Sequence, residues 1–347
     1  MSSEDLHRPL PMRPILLEKV WGGSKLVQVC QKDAGALDVH SVGESWEVAD
    51  LKNGTSTVDG GPFSGQTLRS LVEEFGTDLT GEVDVDDEGV LRFPLLVKLI
   101  DTSADLSVQV HPGPDNAHLF DGAQSKDECW WVLSVDDGAQ LAHGFNSDDV
   151  DRDAFAAALD DKKPEALLRF VDVTPSDSLH VSPGVVHAIG KGVLLLEVQE
   201  PSDTTFRVWD YERPGLDGKL RQLHVDQALQ VLRYGSQPAA KVTPVVLVHD
   251  EKLCHQTVVN APGYRLEHLA TDVAQGIAFD KRAGTPVVVS ATHTPVDVVV
   301  GDHAVALPAF GTAIIPACVP QFDVAFAAPG EVLLSGLGGD VLVEPSA

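Results

Sequence analysis

Short apolar runs with polar residues at alternate positions recur along the chain, broken by Gly, Pro and Asp. Examples are LSVQVHP (106–112), CWWVLSV (129–135), GVLLLEVQE (192–200), TPVDVVVGDHAVAL (294–307) and GEVLLSG (330–336). A period of two places one set of side chains on one face, so the pattern predicts strands packed as a sandwich or barrel. Helical spacing is confined to three segments. SGQTLRSLVEEFG (64–76) opens on a cap-type Ser or Thr and sets Leu68, Leu71, Val72 and Phe75 on one face. DRDAFAAALDDKKPEALLRFV (151–171) is Ala-rich after an acidic start, and VDQALQVLRYG (225–235) stops at Arg and Gly. The chain reads as mainly β with a helical insertion near 147–170. The segment GSQPAAKVTP (235–244) reads as a linker, dividing a domain over 1–240 from a C-terminal β domain over 241–347.

With 347 residues, 43% of them hydrophobic, the chain can bury two cores. Charge narrows the partners. Fifty-two acidic against 25 basic residues give a formal net charge of −27, and the longest basic run is the pair Lys162–Lys163. Such a surface repels nucleic acid and anionic membranes, leaving a small anionic substrate only if cations gather inside a site. Cys30, Cys129, Cys254 and Cys318 are scattered and form no CxxC pair, as in reduced proteins. The N-terminus lacks a basic start followed by an apolar core, so a cytoplasmic protein is expected, as monomer or homodimer.

Candidate chemistry concentrates in the strands. In LSVQVHP, Ser107, Gln109 and His111 share one face while Leu106, Val108 and Val110 share the other. Three polar groups in a row on the inside of a barrel are costly unless something hydrogen-bonds or coordinates them. Glu128 opens the next strong strand, and His187 follows the Pro183-Gly184 turn. Two His, one Glu and one Gln would suit zinc or another divalent first-row ion, although a lone buried His is more often a hydrogen-bonded structural residue. His118, His143 and His180 are read as incidental, and His249, His255, His268, His293 and His303 as scattered on polar stretches. Glu197 shares a face with Val193, Leu195 and Gln199, an acid among apolar neighbours that is either paired or kept for proton transfer. Lys98, alone in PLLVKLI (94–100), needs an anionic partner, a cavity, or a route to solvent. Arg207 either grips an anion bidentately or salt-bridges Asp203 or Asp210. WGGSKL (21–26) lacks the spacing of a phosphate loop, and no nucleophile elbow or dinucleotide fingerprint is present.

GESWE (43–47), PLLVKLIDTSADLSVQVHP (94–112), KDECWWVL (126–133), SPGVVHAI (182–189) and LLLEVQEPSDTTFRVWDY (194–211) occur in this order. Together they resemble the type I mannose-6-phosphate isomerases, or phosphomannose isomerases, in their shorter bacterial form. The resemblance implies a cupin-type β-barrel (jelly roll) catalytic domain, followed by a β-sandwich or cupin-like C-terminal domain. It implies one zinc or other divalent ion per chain, held by Gln109, His111, Glu128 and His187. Arg207, Lys126 and Glu197 fall on catalytic positions, and Lys98, Ser107 and Asp203 on substrate-binding positions. The implied reaction interconverts mannose 6-phosphate and fructose 6-phosphate through an enediol, with Glu197 or Lys126 carrying the proton. Where longer eukaryotic members have a lysine-rich stretch after QxHP, this chain has GPDNAH (113–118), so the resemblance assigns no phosphate grip.

Two other classes share parts of this pattern: a metal cupin oxygenase, which would consume oxygen, and a non-catalytic sugar-phosphate-binding cupin, which would leave its ligand unchanged. For a sugar phosphate substrate, kcat/KM is expected to rise as salt is added from low ionic strength, because screening weakens repulsion from a body of charge −27. Steady-state kinetics over a salt series checks this, and a monotonic fall from the lowest salt runs against it.

Overall fold

The computed structural model describes residues 3–86, 88–237 and 240–346, so Pro238 and Ala239 of the expected linker lie outside the described residues. By internal contact the chain divides into two compact units. One comprises Leu16–Ser45 and Lys98–Val242, the other Met1–Ile15, Trp46–Val97 and Thr243–Ala347. One crossing falls at 242/243, while Met1–Ile15 and Trp46–Val97, read as part of the domain over 1–240, group with Thr243–Ala347.

The strands that carry most of the motifs belong to two sheets. One has five strands in the order Leu168–Asp172, Gln140–Phe145, His187–Ile189, Val108–Val110, Phe206–Trp209. The other has six, in the order Ser178–Val181, Glu128–Val135, Val193–Gln199, Leu96–Asp101, Val42–Val48, Ile15–Gly23. Alternation sorts the side chains. Leu141 and Ile189 from the first sheet meet Trp130, Val132, Leu179, Val181, Val193 and Leu195 from the second in one interior cluster. Their neighbours Ala142 and Ala188 turn to the opposite face with Val108, Val110, Phe206 and Val208, where Phe155, Leu229 and Val231 of two helices cover them. This is the mainly β, cupin-type architecture expected, with its polar strand faces turned inward. Leu106 departs from the alternation. Regular pairing begins only at Val108, and Leu106 joins the interior cluster with Trp21 and Ile100.

The helical insertion is shorter than expected. Asp151 caps the helix Arg152–Asp160 by accepting from Ala154 N at 2.8 Å. The helix stops where Lys162 takes a positive φ of 59° and Pro164, lacking an N–H, opens a single 3-10 turn to Leu167. The LLRFV end of the expected helix is a strand: Leu168–Asp172 pairs antiparallel with Gln140–Phe145. The helix Val225–Val231 ends four residues before Gly235. WGGSKL ends the strand Ile15–Gly23, where a Cβ on Gly22 would meet the Ser41 carbonyl oxygen at 2.2 Å, so the glycine is required by close approach.

The other unit carries an eight-stranded and a five-stranded sheet around a core that includes Phe279, Phe322, Val298 and Leu334. TPVDVVVGDHAVAL is a hairpin, Val296–Val300 against His303–Leu307, turned at Gly301 with φ of 55°. Its helix Leu68–Phe75 is capped by Thr67, whose side chain accepts from Ser70 N. Among the described residues no helix is long and apolar enough to cross a membrane, and the four cysteines are unbridged.

Candidate metal centre

The site is a consequence of strand register. Gln109 lies directly opposite His187 on one side and Arg207 on the other, so one row across three strands carries imidazole, amide and guanidinium toward the same face. On the facing sheet, Glu128 lies opposite Gln199 and Trp130 opposite Glu197. His111 follows the strand Val108–Val110 by one residue and keeps its alternation.

These rows converge. The ligand atoms of His111, Glu128 and His187 all lie within 4.8 Å of one another, and the three residues are buried. His111 Nε2 is 3.4 Å from Glu128 Oε2, and His187 Nε2 is 3.4 Å from Glu128 Oε1. The other nitrogen of each ring is committed: His111 Nδ1 donates to the Thr204 carbonyl at 2.8 Å and His187 Nδ1 to the Val185 carbonyl at 2.9 Å. Both Nε2 atoms therefore present lone pairs to one point, the tautomer and orientation in which an imidazole ligates a metal. Burial, and after it the charge of Lys126, pushes the His111 pKa down to about 3. Burial likewise lowers that of His187, so both rings are neutral. Glu128 stays ionised: desolvation opposes its charge, but Lys126, with Nζ 2.7 Å from Oε2, holds its pKa well below the ordinary range. His111 Nε2 and Glu128 Oε1 make no hydrogen bond, a costly state for buried polar atoms that a cation would relieve. Two neutral imidazoles and one carboxylate fit zinc or a similar first-row dication. Gln109 sits beside them with Nε2, a donor, 3.2 Å from His187 Nε2; its Oε1 faces Ser107 Oγ at 3.3 Å. Offering a lone pair to an ion requires that amide to turn.

Cations surround this point. Lys98 Nζ donates to Glu197 Oε1 at 2.9 Å and Gln199 Oε1 at 2.7 Å. The second oxygen of Glu197 accepts from Trp130 Nε1 at 2.9 Å. Burial opposes the Lys98 charge, but Glu197 holds its pKa above the ordinary lysine value. Burial and then the like charge of Glu128 push Glu197 above the usual carboxylate range. Arg207 Nε donates to Ser107 Oγ at 3.1 Å and Nη1 to the Gln222 carbonyl at 3.1 Å. A cavity of about 280 Å³, sized for one small ligand, is lined by Lys98, Ser107, Gln109, Lys126, Glu197, Asp203 and Arg207 together.

Sequence reasoning missed other residues of the cavity wall. Lys19 and Glu44, paired at 3.2 Å, line it, as do Arg221 and His224 from the irregular segment after Trp209, where no periodicity marks a facing side chain. His143 and His180 are engaged elsewhere: His143 Nε2 with the His180 carbonyl at 2.9 Å, and His180 Nε2 with Asp127 at 2.7 Å. Two of the histidines expected on polar stretches are instead buried in strands of the other unit. His255 pairs with Glu267 at 3.0 Å and His268 with Glu331 at 2.8 Å.

Comparison with known proteins agrees with this geometry. The family model for the phosphomannose isomerase type I catalytic domain matches residues 10–130. The chain is 38% identical over 232 residues to mannose-6-phosphate isomerase ManA of Bacillus subtilis, covering 66% of this chain and 70% of that one. It is 35% identical over 249 residues to mannose-6-phosphate isomerase of Streptococcus mutans, covering 70% and 72%. The crystal structure of a Bacillus subtilis mannose 6-phosphate isomerase superposes with a TM-score of 0.82 at 27% identity, over 94% of this chain and 99% of that one. A zinc-bound mannose 6-phosphate isomerase, at 14% identity and a TM-score of 0.74, shares the fold over 96% of this chain and 100% of its own.

The turn before His187 ties both imidazoles together. Val185 N donates to the Ser182 carbonyl at 3.1 Å across Pro183-Gly184, and Gly184, at φ of 84°, donates its N–H to the His111 carbonyl at 2.9 Å. A Cβ there would meet the Val231 carbonyl oxygen at 2.8 Å. Gly184→Ala is expected to cost about 1–3 kcal/mol of stability through backbone strain and to lower bound metal per chain. Thermal melting and elemental analysis check it; unchanged metal content would show that the turn does not position His187.

Proposed function

The chain belongs to the type I phosphomannose isomerases, and on that premise we propose that this centre interconverts mannose 6-phosphate and fructose 6-phosphate with one zinc ion. The observation that carries the reading is the buried set His111, Glu128 and His187, with two imidazole lone pairs and a carboxylate aimed at one point inside a ring of cations. His111, Glu128 and His187 would hold the zinc ion, which when bound would supply Lewis-acid polarisation of the open-chain sugar's carbonyl oxygen.

The reaction moves a proton between C1 and C2 without redox change, so it needs a group that accepts and returns that proton and positive charge to balance the enediol. Glu197 suits the first task. Burial and the nearby Glu128 raise its proton affinity above that of an ordinary carboxylate, and Lys98 and Trp130 fix both carboxylate oxygens in place. Lys126, lining the same cavity, is the second group able to carry the proton. Arg207 and Lys98 set charge against the enediol oxygens or the phosphate, Ser107 steadies the Arg207 guanidinium, and Asp203 adds an acceptor for sugar hydroxyls at the cavity wall. Trp21, Ile100 and Leu106 of the interior cluster form the apolar part of the cavity wall.

Purified protein is expected to carry one zinc per chain, and a coupled isomerase assay is expected to lose activity on chelation and regain it on zinc addition. Full turnover by metal-free protein, or oxygen uptake in its place, overturns the assignment. Glu197→Gln is expected to lower kcat on the order of a hundredfold or more while leaving zinc bound. Near-normal turnover by this variant transfers the proton-carrying role to Lys126.

A further inference from the structure

Between Trp209 and the helix Val225–Val231 the chain makes a hairpin that no strand pattern announces. Pro214 bridges Leu220, and Gly215 N donates to the Lys219 carbonyl. Its base is anchored by one carboxylate. Asp210, 5% exposed, accepts from Arg213 through Nε at 3.2 Å and Nη2 at 3.0 Å, and from Arg221 through Nε at 2.6 Å and through Nη2. The returning limb is fastened to Arg207: the Gln222 carbonyl accepts from its Nη1, and His224 N donates to the Arg207 carbonyl at 2.7 Å. Arg207, Arg221 and His224 all line the cavity.

Arg213 and Arg221 thus share the single carboxylate of Asp210, and Arg207 is fastened to the same hairpin through the Gln222 carbonyl, so three guanidinium groups stand close to one hydrogen-bonded carboxylate on a chain whose total is −27. Burial, and after it the charge of Arg221, lowers the Arg207 pKa, and both side chains line the same cavity. Such an accumulation is costly alone and is matched by an anion of charge near −2. A phosphate monoester at neutral pH carries about −1.5 to −2 and three acceptor oxygens suited to a guanidinium fork.

Resting on the isomerase reading, we propose that Arg221 donates to the phosphate group of the sugar substrate, and that Asp210 is the positioning residue that aims it. In this arrangement the hairpin, rather than the QxHP segment, selects phosphorylated over plain sugars. Lys98 and Lys126 are left to the reacting end, where Glu197 and Glu128 already hold them.

The test is steady-state kinetics of the zinc-loaded enzyme on mannose 6-phosphate, with inorganic phosphate as competitive inhibitor. Activity of the unaltered enzyme is the control that keeps the isomerase reading separate from this one. Arg221→Gln is expected to raise KM about tenfold to a hundredfold and to weaken phosphate inhibition by a similar factor, with kcat within about threefold, as loss of a charge-assisted contact to a non-reacting group predicts. Arg221→Lys should fall between, and Asp210→Asn should raise KM in the same direction by a smaller factor. Leu216→Ser, at the exposed tip, should change neither constant. The proposal is overturned if KM and the phosphate inhibition constant are unchanged in Arg221→Gln, or if kcat alone falls. It is likewise overturned if both Arg221 variants shed zinc or fail to fold, or if Leu216→Ser raises KM equally.

Discussion

Everything in the catalytic unit is arranged around a carboxylate that water does not reach. Glu128 is fully buried, and an isolated ionised carboxyl in such a place would take up a proton. Lys126 at 2.7 Å keeps it charged, and two imidazoles at 3.4 Å face it with lone pairs. One lysine balances the charge but leaves the opposed lone pairs unresolved. A dication between them resolves both, and so the donor set implies its ligand more strongly than any single residue does. The backbone carbonyls of Thr204 and Val185 belong to the same constraint, because each fixes an imidazole tautomer that would otherwise turn a proton toward the centre.

Register converts this local requirement into a fold requirement. In a strand, a slip of one residue exchanges the faces, which here would send Gln109 into the cluster of Val108, Val110 and Phe206 and bring valines to the centre. The apolar neighbours therefore do more than fill space. Val108 and Val110 packing against the helices Arg152–Asp160 and Val225–Val231 hold Ser107, Gln109 and His111 inward, and Val186 and Ala188 do the same for His187. Site and core are the two faces of the same strands.

This explains which parts were legible in the sequence. Period-two alternation is a local property, so the inward row Ser107, Gln109 and His111, the placing of Glu197 and Lys98 as charged groups in apolar strands, and the mainly β class could be read from residue order, while the pairing of Lys98 with Glu197 could not. Three further kinds of feature could not. Leu106 obeys the alternation in sequence but lies before regular pairing begins, so its direction is set by packing with Trp21 and Ile100. The expected helix over 151–171 contains enough Ala and Leu throughout; the break comes from Pro164 and from an open edge beside Gln140–Phe145 that Leu168–Asp172 can fill. Arg221 lines the cavity while its guanidinium is held by Asp210, eleven positions earlier, and irregular backbone has no period from which such a contact could be deduced.

The second unit shows why histidine and glutamate in buried strands do not by themselves make a metal site. His255 and Glu267 are as buried as His111 and Glu128, and their separation of 3.0 Å is shorter. There, however, the set is closed: Arg265 and Leu342 N donate to one oxygen of Glu267, and His255 faces the other. Every strong group has a protein partner, so nothing is gained by admitting an ion. At the other centre the imidazoles face the same carboxylate at 3.4 Å with His111 Nε2 and Glu128 Oε1 unbonded, a distance too long for a good hydrogen bond and suited to a shared ligand between them. The distinction between a structural polar network and a functional one lies in whether the protein itself satisfies the last lone pair. It is a property of geometry that residue type and spacing leave open.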